Sequence, residues 1–324
     1  MSGFKSYFSL REGMRSLLVR TTDHDAALDG VRALSILLVL CYHAVGIPAL
    51  KYAEGVQAYL ETLPRAFHWL IQGDMGVDMF FVLSGFLIGR MLLNEHNLNG
   101  KIHFGKFYFR RLVRLYPAYL LLLFLFLIAP IKQEKIYLLA NLFYVNNFLS
   151  REHMLAPWTW SLAVEEQFYL ALPLFLTFAF LHTRHKWTLL AAVIALAQVI
   201  RAVIFWLHPQ FYHMPYAELI VDSTYSESIV INLYTRYDGL MFGFCAAYLQ
   251  FAQGHRVVEW FKRHVLAGSL LTAAVLAVTC AILGAPIATM HTQWHPATLF
   301  VYRVSHHAIF SAAIATLIVC VLNG

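Results

Sequence analysis

Eight apolar runs, each close to the roughly twenty residues that a helix needs to cross a bilayer, constrain this chain more than any motif in it. They fall near 28–48, 75–93, 110–130, 158–181, 188–207, 231–253, 264–283 and 301–322. Charged residues make up 13% of the sequence, about half the share usual in a soluble domain. The expected fold class is therefore all-α: a polytopic transmembrane helical bundle of about eight spans.

Lys and Arg gather in alternate loops. Segment 1–27 carries Lys5, Arg11, Arg15 and Arg20, and 90–114 carries Arg90, Lys101, Lys106, Arg110, Arg111 and Arg114. Loops 182–187 and 254–263 are basic too, whereas 208–230 and 284–300 have no Lys or Arg. The positive-inside rule then puts the N-terminus in the cytoplasm, with 1–27 a cytoplasmic segment and 28–324 the transmembrane domain. Segment 1–27 is polar and basic with no cleavage pattern, so the first run is expected to stay as an anchor. The apolar stretch 136–149 is too short to span and is read as re-entrant or interfacial. The net charge of +6 is a topology signal, and with the aromatics inside apolar runs a nucleic-acid partner is not expected. The four cysteines also lie in apolar runs and read as buried small hydrophobes.

The informative residues are the ionisable ones inside these runs, where they are costly and functional by default. Arg32 and His43 lie eleven residues apart, about 16 Å along a helix, and share a stripe with Ile36 and Val39. The topology puts Arg32 near the cytoplasmic face and His43 in the outer half. Asp74, Asp78, Glu165, Glu166, Arg236 and Asp238 also fall in the outer half, and Arg110, Arg111 and Arg114 at the cytoplasmic mouth. An arginine cluster inside suits a phosphate-bearing ligand. A histidine among carboxylates outside suits general acid–base chemistry. Glu165 and Glu166 point about 100° apart, so one of them is free to pair with an arginine such as Arg236. Gly85 and Gly89 have small-xxx-small spacing for close helix packing, and Pro117 and Pro173 are expected to kink their helices. Neither His306–His307 nor His291 and His295 has a third partner at metal-ligand spacing, so no metal site is expected.

Five motifs occur in order: LDGVRALSILLVLCYHA, GVDMFFVLSGFLI, FYFRRLVRLYPAY, WSLAVEEQFY and TRYDGLMFG. Together they resemble the acyltransferase-3 family of integral-membrane O-acyltransferases, across roughly residues 25–250. The resemblance implies transfer of an acyl group, commonly acetyl, from cytoplasmic acyl-CoA to a hydroxyl at the outer face of a bacterial inner membrane. The acceptor would be a glycan, a lipid-linked sugar or a small hydroxylated molecule. By the same resemblance Arg32 and His43 match the family's Arg-x10-His pair, Arg111 and Arg114 its Arg-x-x-Arg motif, and Glu165 its helix-4 acid.

On this reading Arg32, Arg111 and Arg114 bind the donor, whose pantetheine arm runs outward along the first helix. His43 is the base, with Glu165 or Asp78 stabilising the imidazolium, and Arg236, Asp238, Glu166, Ser161 and Trp160 in support. No cofactor is bound, since acetyl-CoA is a substrate. The family pattern also implies further helices beyond the last run. Two other readings stay open: a proton-coupled transporter or exporter, built on the same intramembrane charges, and an inactive scaffold.

Overall fold

The computed structural model describes residues 24–46, 64, 67, 69, 72–129, 135–287 and 289–323. The basic segment before His24 and the expected end of the first span at 47–48 lie outside the described residues. Among the described residues eight long helices form the frame: α1 His24–Cys41, α2 Met75–Asn99, α3 Phe104–Ile128, α4 Trp160–Phe175, α5 Lys186–Leu207, α6 Leu233–Arg263, α7 Val265–Leu283 and α8 Pro296–Asn323. Among the described residues there is no strand. A bilayer allows little else, because only a helix or a closed barrel satisfies its own backbone polar groups in lipid.

Among the described residues, seven helical stretches are long and apolar enough to cross a membrane, and α6 is the long helix left out. It runs at the centre of the bundle against α2, α5 and α8. Its charges Arg236 and Asp238 are each 2% exposed, so they are enclosed by protein rather than turned to lipid. The same logic sorts the apolar helices. The spanning windows of α2 and α8 are 67% and 61% buried, while that of α3 is 11% buried and faces outward. The segment expected as a basic loop at 254–263 is instead a continuation of α6 past a non-helical Gln253.

The α2–α6 contact is made by glycine. A Cβ on Gly85 would overlap the Leu240 carbonyl, and one on Gly243 would overlap the Val82 carbonyl, so the two backbones touch. Gly89 takes the Phe244 ring in the same way. Gly85→Ala is expected to destabilise the protein by about 2 kcal/mol or more, since backbone cannot move aside as a side chain can. Thermal unfolding of the purified variant in detergent checks this, and wild-type melting would mean that the helices are not in backbone contact.

α1 packs on the first turns of α2 through Gly73 and Gly76, which meet Leu38, Tyr42, Ser35 and Val39. Its buried stripe is Leu28, Val31, Ser35 and Leu38. The expected stripe of Arg32, Ile36, Val39 and His43 lies beside it, with Ile36 and His43 exposed. Burying the apolar stripe leaves the charged one outside. At Tyr42–Gly46 the helix widens into a π turn that carries His43.

The stretch read as re-entrant or interfacial folds as short pieces, Lys135–Tyr137, Leu138–Leu142 and Asn146–Phe148. It dips between α3 and α4. Tyr116 and Tyr119, in the middle of α3, donate to the Leu142 and Asn141 carbonyls at 3.0 and 3.2 Å. Asn141 donates to Thr159 Oγ1, Thr159 to the Ala156 carbonyl, Asn147 to the Ile231 carbonyl, and Gln167 to Asn147 Oδ1 and the Tyr144 carbonyl. Irregular backbone at this depth is tolerable only when protein covers it in this way.

Pro117 lies within α3, and Pro173 comes two residues before α4 gives way to the π turn Leu176–Phe180. Of the cysteines, all free, Cys320 is buried, Cys41 and Cys245 are half-buried, and Cys280 is exposed. The burial expected for Cys280 does not hold because α7 is a peripheral helix, apolar all round.

Candidate functional site

We call the end where α2 begins the upper end. Polar groups descend from it in layers along α2. Asp74, the N-cap residue of α2, makes no capping hydrogen bond, and its Oδ1 is buried without a partner. Burial pushes its carboxyl up to about 6, with Arg236 opposing and Asp78 adding to the rise.

One turn down, Asp78 meets the Arg236 guanidinium of α6 at 3.0 Å and accepts from His307 Nδ1 of α8 at 2.9 Å when that nitrogen carries the proton. All three side chains are buried. The Arg236 guanidinium also lies over the Trp160 ring, at 5.6 Å, one residue before the half-buried Ser161. A second ion pair stands alongside: Arg201 of α5 binds Asp238 of α6 at 2.5 and 3.2 Å. Gln198 donates to the same carboxylate at 2.8 Å, and Arg201 also donates to the Val304 and Thr235 carbonyls. With one aspartate for each arginine, the two pairs are neutral while His307 is uncharged, and they tie α2, α5, α6 and α8 together.

About 9 Å further down the α2 axis, Ser84 donates to Glu165 Oε1 of α4 at 2.7 Å. About 10 Å below that, Arg111 of α3 reaches Met91 Sδ at 3.7 Å and lies over the rings of Tyr169 and Phe107 at 5.6 and 5.8 Å. Glu166 shares with Arg111 and Tyr169 the lining of a cavity of about 260 Å³. At the lower end Glu95 meets His103 at 3.1 Å and Arg110 at 3.5 Å. Arg114 is exposed, three residues along α3 from Arg111.

These positions separate groups that the sequence reading joined. His43 is exposed, with Nδ1 2.8 Å from the Val39 carbonyl and its ring edge-on to Tyr42. Asp78 is held by Arg236 and His307, and Glu165 by Ser84, so among the described residues neither carboxylate meets His43. Arg236 pairs with Asp78 and not with a glutamate. Arg32 pairs with Asp29 at 2.7 Å, both about two-fifths exposed. Because α1 is drawn up against Gly73 and Gly76, Arg32 lies on the order of 15 Å of helix axis above Arg111, away from the lower mouth. The divergence expected of Glu165 and Glu166 is observed: one faces α2 and the other the cavity.

Sequence reasoning passed over Arg201, Arg303 and the role of His307. Arg303 donates to the Phe211 and Met214 carbonyls and ties α8 to the short helical turns after α5. The signal was present, since all three are ionisable residues within apolar runs, the criterion that singled out Arg32 and His43. No group of three or more His, Cys, Asp or Glu side chains among the described residues could hold a metal ion.

A multi-pass helical bundle with this ladder of buried charges is the class of protein defined here. The chain belongs to the acyltransferase-3 family, whose acyltransferase domain it matches across residues 25–324. It is 36% identical over 168 residues to the O-acetyltransferase OatA of Staphylococcus aureus strain NCTC 8325 / PS 47, and equally to that of strain COL. The matched stretch is 47% of this chain and 24% of each relative, so the chain corresponds to only part of their length. No solved structure matches it.

Proposed function

We propose that this chain is the membrane domain of an O-acyltransferase that takes an acyl group, acetyl above all, from acyl-CoA and transfers it to a hydroxyl. The acceptor is a glycan or another hydroxylated molecule at the opposite face. The observation that carries this reading is the ladder itself. It leads from Arg111 and Glu166 through Ser84 and Glu165 to the Asp78 cluster within one bundle of a family of acyltransferases. The names of the relatives support the oxygen as acceptor atom. The basic loops favour a cytoplasmic lower end, and hence entry of the donor there and of the acceptor from above.

In this scheme Arg111 and Arg114 hold the lower end of the donor, with Arg114 taking its phosphates through paired guanidinium hydrogen bonds. Arg32 is set apart from them by its height on α1. Glu165 stands partway along the path that an arm rising from Arg111 would take, and the acyl end passes it to reach His43, where the acceptor arrives. The acyl carbon leaves sulfur for the hydroxyl oxygen, and the hydroxyl proton ends on the departing thiolate. His43 is the base that takes that proton first.

His43→Ala is expected to lower acyl transfer in membranes by about 100-fold or more at matched expression, the usual worth of a general base. Transfer at the wild-type rate would remove His43 from the mechanism.

A further inference from the structure

The cavity between α3, α4 and the dipping segment has more structure than packing requires. Glu166 Oε1 is buried in its wall without a hydrogen-bond partner, although Arg111 lines the same wall, and such an acceptor is open to an N–H or O–H donor from a ligand. Opposite in character, the Arg111 guanidinium is held by ring faces and a thioether, which leaves donors for a carbonyl.

Tyr116, Tyr144 and Tyr169 line the same cavity. Tyr144 adopts a left-handed backbone, φ 53°, a conformation that a bulky residue keeps only when its surroundings enforce it. The enforcement is visible: its ring stacks on Tyr119 at 4.6 Å, and its carbonyl accepts from Gln167 Nε2 at 2.8 Å. Strain of this kind gathers at ligand clamps. The walls favour a slender chain, and the two polar groups favour one that carries both amide N–H and amide C=O.

We infer that this cavity holds the amide-bearing arm of the acyl donor, with an arm N–H on Glu166, an arm carbonyl on Arg111 and the tyrosine rings on either side. This rests on the acyl-CoA reading above, where the arm with that chemistry is pantetheine. It moves the arm's path from α1 to the seam between α3 and α4. Glu165, the next residue along α4, turns toward Ser84 and the core, so an acyl end leaving the cavity upward meets it.

The test measures binding of two probes to the purified full chain in detergent: acetyl-pantetheine, which is the arm alone, and adenosine 3′,5′-bisphosphate, which lacks it. Two variants narrow the cavity's chemistry and its space. Glu166→Gln removes the carboxylate, and Leu170→Trp fills the cavity from a side chain that is 59% exposed. Both should weaken acetyl-pantetheine by about tenfold or more, as loss of a charge-assisted hydrogen bond or of the space would. Adenosine 3′,5′-bisphosphate should bind both variants as it binds wild type. Unchanged arm binding in both variants, with wild-type melting curves, would overturn the cavity assignment and leave the donor reading intact. Wild-type protein that binds neither probe would overturn both.

Discussion

Asp78→Ala is expected to cost about 3–5 kcal/mol of stability, because it leaves the Arg236 guanidinium buried among α2, α6 and α8 without its hydrogen-bonded carboxylate. The guanidinium cannot shed its proton and cannot reach water. His307 loses its acceptor in the same change. The expected sign of the charge effect is clear from the paired variant. Asp78→Ala combined with Arg236→Met removes both charges and replaces the long side chain with an apolar one, so most of the lost melting temperature should return. Recovery of melting without recovery of transfer would separate the structural role of the pair from a catalytic one. The measurement is thermal unfolding of purified single and double variants in detergent. Wild-type melting of Asp78→Ala alone would mean that the cluster does not hold the bundle.

Glu165→Gln should do the reverse, sparing the fold and stopping the chemistry. The amide is the same size and its oxygen still accepts from Ser84, so the contact between α2 and α4 survives. What goes is the negative charge at mid-depth. If the carboxylate stabilises a positive centre or takes a proton as the acyl group moves, transfer should fall by about 100-fold or more with melting unchanged. Ser84→Ala is the companion variant. It leaves the charge and removes only the hydrogen bond that aims it, for a loss of about tenfold. Equal activity of Glu165→Gln and wild type would confine Glu165 to packing.

The frame of this protein was legible because lipid leaves one backbone solution and eight runs of the right length. The glycine spacing of Gly85 and Gly89 foretold a close contact, though not that α6 would answer with Gly243. Partners were harder to read. Asp78, Glu165 and His43 were visible as costly residues, but nothing in one dimension says that Asp78 turns to His307, more than two hundred residues on. The height of Arg32 relative to Arg111 was not legible either. Counting from the loops placed it low, whereas the small residues at Gly73 and Gly76 draw α1 upward against α2. The cavity was invisible, since it depends on where a dipping segment places Tyr144.

The enclosure of α6 bears on how the chain is made. Alone beside lipid, this helix would carry an arginine and an aspartate with nothing to neutralise them. Its neighbours act as its solvent: α2 and α5 are synthesised first and bring Asp78 and Arg201, and α8 brings His307 afterwards. A nascent chain therefore has to keep α2 and α5 at hand until α6 emerges. Biosynthesis arrested before α5 would leave a fragment in which Asp78 has met no counter-charge, a form that quality control should recognise as unfinished.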